Sequence, residues 1–139
     1  MLNYVTNSDT GDYIEDMAEQ EAAKPIVTYT EFEKQIATLY DDCYKRLAKK
    51  DVEYGHSDAF KSFKNASKIA DILPEKVALT YRLKHDMSLK KLLDDIQNGH
   101  DENLTEAFIN EKIGDVICYT TLIYGMLMER IKCNKSKKL

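Results

Sequence analysis

The chain is short of what builds sheets or staples loops together. Two prolines and five glycines in 139 residues leave few hairpin turns. Three cysteines, Cys43, Cys118 and Cys133, with no Cys-x-x-Cys spacing, signal neither a disulfide frame nor a zinc site. A basic excess is missing as well: the net charge is −4 and the pI about 5.4, so no global field draws in nucleic acid and no direct nucleic-acid binding is expected. There is no Gly-rich phosphate loop, nucleophile elbow, internal repeat or low-complexity segment. The opening residues hold no basic region followed by an apolar one, which predicts no leader. The longest apolar run, from Ile113 to Met128, is shorter than the roughly 20 residues that span a bilayer and carries Asp115 and two threonines. It predicts a core helix and no membrane partner.

What is present is helical. Residues 1–24 are polar, with six acids against one lysine, and predict a poorly ordered or peripheral arm. Residues 25–133 predict a bundle domain, and residues 134–139 a basic tail. Thr30 and Glu33 read as a capping box for a first helix reaching about Lys50. Phe32, Ile36, Leu39, Tyr40, Cys43 and Leu47 recur every three or four positions along it, the mark of one buried face. Gly55 suits a left-handed terminator and Ser57 a cap for a second helix from Asp58 to Leu73. That helix carries a stripe of Lys61, Lys64 and Lys68, read either as a solvated face or as an edge that contacts phosphate. Pro74 opens a third helix to Gln97. A turn-rich loop follows, and Thr105 caps a fourth helix to about Lys132. Short connections between long helices predict an all-α, antiparallel four-helix bundle.

The run from Ile113 to Met128 is apolar on nearly every side, so it is expected to be the most buried segment, with Asp115 inside. A buried carboxylate needs a partner, a proton or a cation. Glu111 lies one turn earlier on the same helix face. Counting residues along antiparallel helices places Asp86 and His85 level with Asp115, together with the region of Asp41 and Asp42 and that of Ser67. Two readings of Asp115 follow. Carboxylates converging from different helices can hold magnesium and the phosphates it bridges, with Arg82, Lys84 or Lys61 receiving phosphate. A buried ion pair with Arg82 accounts for the same residues without a ligand. Helix three is apolar over more of its surface than one layer of neighbours covers, which predicts a homo-oligomer. Cys118, inside the apolar run, suits a reducing cytoplasm.

The segment Asn110-Glu111-Lys112-Ile113-Gly114-Asp115-Val116-Ile117-Cys118-Tyr119 resembles the second acidic motif of MazG-like all-α nucleotide pyrophosphatases, commonly Glu-Glu-Leu-(Ala/Gly)-Asp-Val-Leu-x-Tyr. Lys-x-x-Glu-Tyr-Gly-His-Ser, from Lys50 to Ser57, resembles the Asp-Tyr-Gly loop of small phage-encoded members, followed as in them by Asp-Ala-Phe-x-x-Phe. Leu79 to Leu92 is similar to their Arg-Leu-Lys-rich third helix. The resemblance covers residues 30–131. It implies magnesium-dependent cleavage of a nucleoside triphosphate to monophosphate and pyrophosphate, in a homodimer or homotetramer in the cytoplasm of a bacterial host. By matching position, Glu111 and Asp115 would be catalytic metal ligands, joined by Asp86 or by a partner subunit's carboxylate. The nucleotide would be held by Arg82, Lys84, Lys61 and Tyr54. Two departures point to the alternative, a non-catalytic phage-type protein that sequesters a nucleotide signal or binds and inhibits a host protein. The motif's second glutamate is Lys112, and helix one offers no Glu-x-x-Glu.

Overall fold

The computed structural model describes residues 24–54 and 58–138, with the side chains of residues 51–54 outside that description. Four helices account for nearly all of it: α1 (Tyr29–Tyr54), α2 (Lys61–Ala70), α3 (Pro74–Gln97) and α4 (Glu106–Lys137). Among the described residues there is no strand, and no helix is long and apolar enough to cross a membrane. The chain divides into two units between Gln35 and Ile36, a division that falls within α1.

In the first unit the capping box sits two residues earlier than the sequence suggests. Glu31 N–H donates to Thr28 Oγ1 at 3.2 Å, and Thr28 N–H donates to Glu31 Oε2 at 2.8 Å. The sequence holds two overlapping Thr-x-x-Glu boxes. The earlier one prevails because each residue added to a started helix gains a hydrogen bond at little further cost.

The rest of the chain forms the second unit. Gly55 and Ser57, expected to end α1 and cap α2, lie outside the described residues. Asp58 instead begins the α2 turn: its Oδ1 accepts from Phe60 N–H at 2.9 Å and its Oδ2 from Lys64 Nζ at 2.7 Å. Helix α2 is thus three residues shorter at each end than expected. Asp71, at φ 55°, turns left-handed and stops it, a conformation that aspartate tolerates better than most residues. Pro74 starts α3 where its missing N–H goes unneeded. Beyond α3, Gly99 takes φ +84° in the turn, and Thr105 Oγ1 then caps α4 by accepting from Phe108 N–H at 3.2 Å. Helix α4 runs five residues past the expected end, so most of the basic tail is helical. Lys135 and Lys137 stand in its last turn, where cations offset the negative pole.

Helix α3 packs on both α2 and α4. Its first turns supply half of the buried residues, Glu75, Val77 and Ala78, which are joined by Cys43, Gly114 and Met126. Glu75 is tolerated there because Arg130 grips it with two hydrogen bonds, Nη2 to Oε2 at 2.9 Å and Nε to Oε1. The expectation that the run from Ile113 to Met128 is the most buried segment does not hold. Only Gly114 and Met126 of that run are buried, and Tyr124, Leu127 and Met128 are exposed. The other described helices cover just part of its circumference.

Candidate functional site

Asp115 is the charged centre of α4, partly buried, and its partners differ from those expected. Arg46 Nη1 of α1 approaches Asp115 Oδ1 at 3.4 Å, and His85 Nδ1 of α3 approaches Oδ2 at 3.2 Å. The ion pair with Arg82 is not formed. Arg82 instead faces Asp86, one turn along α3, at 3.5 Å, and its Nε is shielded from solvent without a hydrogen bond. Of the residues expected level with Asp115, His85 is there. Asp41 pairs with Lys45 at 2.7 Å on the exposed side of α1, and Ser67 donates to the Ile72 carbonyl at the end of α2.

Arg46 can lie against α4 because residue 114 has no side chain. A Cβ there would stand 2.6–2.9 Å from the guanidinium atoms, closer than real contacts allow. Through this gap Arg46 Nη2 also donates to the Asn110 carbonyl at 3.1 Å. The carbonyl of Gly114 is approached by Cys43 Sγ at 3.8 Å, and Cys118 Sγ lies 3.9 Å from the Cys43 carbonyl. Burial, with Cys43 beside it, pushes the Cys118 thiol up to about 11, so it is an inert packing group at neutral pH.

Of the other expected site residues, Glu111 is exposed one turn before Asp115, and Lys61 and Lys84 are exposed. The side chain of Tyr54 lies outside the described residues. Among the described residues no three His, Cys, Asp or Glu side chains gather closely enough to hold a metal ion, so Glu111, Asp115 and Asp86 do not form a ligand set within one chain.

From Asp115 the site continues through aromatic rings. His85 stacks on Tyr119, with centroids 5.2 Å apart and planes at 24°, and Tyr119 stacks on Tyr81 at 6.0 Å and 22°. Phe63 meets Tyr81 edge-on at 6.4 Å. Tyr81, Tyr119 and Phe63 line a cleft of about 510 Å³ among α1, α2, α3 and α4. Lys50, one turn beyond Arg46 on α1, and Asp58 also line it. Asp58 is held ionised, its carboxyl kept below the usual range by Lys64 and the Phe60 N–H.

Set against known protein families, characterised proteins and solved structures, the chain matches none. Its chemistry has to be read from these residues. Sequence reasoning missed Arg46 and the aromatic cleft. A signal for Arg46 was present: it lies between Cys43 and Leu47 on the apolar face of α1, and Gly114 breaks helix propensity beside Asp115.

Proposed function

We propose that the chain is a nucleotide-binding helical protein, with its helices packed as an antiparallel bundle of the MazG-like kind and a homodimer or homotetramer as its working form. The observation that carries this reading is the unbroken ring stack from the charged cluster to the cleft. His85, Tyr119 and Tyr81 join the polar cluster of Asp115 and Arg46 to an aromatic cleft that Lys50, one turn beyond Arg46 on α1, also lines. A nucleotide has the same division into an anionic end and a planar, largely apolar one. Antiparallel packing is supported by pairings that rise on α3 as they fall on α4: Glu75 with Arg130, Tyr81 with Tyr119, His85 with Asp115. The thiols of Cys43, Cys118 and Cys133 are free, which suits a reducing cytoplasm such as that of a bacterial host.

Binding without turnover is the form best supported, because Asp115 already has two basic partners and Asp86 has Arg82. Hydrolysis to monophosphate and pyrophosphate is the second reading, favoured by the exposed Glu111 one turn from Asp115. In it, Glu111 and Asp115 bind magnesium with a partner subunit's carboxylate, and Arg82, Lys84, Lys61 and Tyr54 hold the nucleotide. Incubating the protein with nucleoside triphosphates and cyclic dinucleotides plus magnesium, followed by mass spectrometry, separates the two. Retention of unchanged ligand supports binding, pyrophosphate release supports hydrolysis, and neither outcome for any nucleotide overturns both.

A further inference from the structure

The cleft's volume lies inside the range of roughly 300–1,000 Å³ typical of small-molecule sites, and its wall is aromatic with few polar groups. The wall is set before any ligand arrives. Tyr81, Tyr119 and Phe63 brace one another, while Phe60 is seated against bare α4 backbone. A Cβ at Gly125 would stand 2.6 Å from Phe60 Cζ, so this glycine sets how far the Phe60 ring can lean back. Tyr81 and Tyr119 are already stacked on each other, which leaves no slot between them. A planar ligand has to lie on the open side, toward Tyr124 and Phe60.

The polar groups narrow the ligand further. Thr121 Oγ1 donates its hydrogen to the Ile117 carbonyl at 2.8 Å, so toward the cleft it can only accept. Asp58 is acceptor-only for the same purpose, since it is held ionised by Lys64. With one lysine and one aspartate among the lining residues, the cleft carries no net charge to favour an ionised ring.

We infer that this cleft is the base subsite, taking an uncharged planar heterocycle that presents N–H donors to Thr121 and Asp58 and stacks on the aromatic wall. The inference rests on the nucleotide-binding reading and adds where the ring lies and which edge of it is read. Lys50 then marks the side from which the phosphates leave.

The test is titration of the full chain with the common nucleosides, their triphosphates and inorganic tripolyphosphate, followed by tyrosine fluorescence, since the chain has nine tyrosines and no tryptophan. At least one nucleoside is expected to bind without phosphate. Its counterpart with the N–H edge methylated should bind about ten-fold more weakly, the size of one lost hydrogen bond. Thr121→Val should weaken the nucleoside by a similar factor. Ala66→Phe, which fills the cleft from α2, should abolish nucleoside binding while leaving the melting temperature unchanged or higher. Triphosphates binding better than tripolyphosphate yet untouched by Ala66→Phe would overturn the subsite and leave the nucleotide reading standing, whereas triphosphates binding no better than tripolyphosphate would overturn both. Equal binding of the methylated and unmethylated nucleosides would overturn the donor rule and with it the subsite as described. Absence of binding by every probe would sink both.

Discussion

Arg46, Asp115 and Gly114 act as one unit. Replacing Asp115 by asparagine leaves the Arg46 guanidinium with the Asn110 carbonyl alone and removes the carboxylate that faces His85 Nδ1. Because all three side chains are about one-quarter to one-third exposed, with Asp115 at 29%, the cost is that of a partly solvated pair, about 1–3 kcal/mol, and the melting temperature should fall. If Glu111 and Asp115 form a metal site instead, the same change relieves like-charge repulsion and raises it. Thermal melts of the unmodified protein with and without magnesium complete the comparison, since only a metal site is stabilised by the ion. Gly114→Ala has a subtler expected outcome. Alanine adds about 1 kcal/mol of helix propensity but pushes the guanidinium off α4. Net stability should move by less than about 1 kcal/mol, while the Arg46–Asp115 coupling in a double-mutant cycle collapses toward zero. That Asp115 needs a partner, a proton or a cation was legible from its apolar surroundings. The identity of that partner was not, because helical periodicity fixes which face a residue is on but not which of several level cations reaches across.

Among the elements, the boundaries set by backbone chemistry were the legible ones. Pro74, Gly99 and Thr105 each admit essentially one role, and each takes it. The start of α1 and both ends of α2 were misplaced where two residues could do the same work: Thr28 or Thr30 as cap, Asp58 as helix or as turn. The contact that locks α3 to α4 was invisible in the sequence, since Glu75 looks like an ordinary first-turn acid. Arg130 holds its carboxyl below the ordinary value of 4.5, mainly through their hydrogen bonds. A carboxyl lowered in the folded state contributes stability that is fully present above that ordinary value and is lost as pH falls through the lowered one. Acid unfolding should therefore steepen below about pH 4.5, the range set by the shift. Arg130→Met strands the buried Glu75 carboxylate and should cost about 2–3 kcal/mol near neutral pH, with the loss shrinking in acid as Glu75 takes up a proton. Urea melts from pH 7 to pH 3 measure both. A variant parallel to the unmodified protein across that range would remove Glu75 from the acid response.

At the scale of the whole molecule, apolar surface is left uncovered, and its arrangement makes a prediction about assembly. Leu79, Leu83 and Met87 repeat every four residues on α3, with Leu83 53% and Met87 66% exposed. Tyr124, Leu127, Met128 and Ile131 form a second exposed group on α4. Covering a half-exposed side chain of this size returns roughly 1 kcal/mol, half of what full burial gives. The α3 ridge, counted once in each of two copies, thus supplies about 6 kcal/mol, near the low end of the roughly 4–15 kcal/mol that association costs. Both groups together supply about 14 kcal/mol. A pair of chains held by the α3 ridge alone is therefore expected to be weak, and a stable homo-oligomer has to use both groups. If they meet in one two-fold interface the product is a dimer. If each forms its own two-fold interface, the product is a tetramer with two kinds of contact. Light scattering at micromolar concentration gives the mass, and two substitutions separate the geometries. Leu83→Glu and Leu127→Glu should each yield monomer in the dimer case. In the tetramer case Leu83→Glu should stop at a dimer held by the α4 group, and Leu127→Glu should give a weak dimer that dissociates on dilution. A monomeric unmodified protein would contradict the assembly altogether and leave both groups free for a different partner.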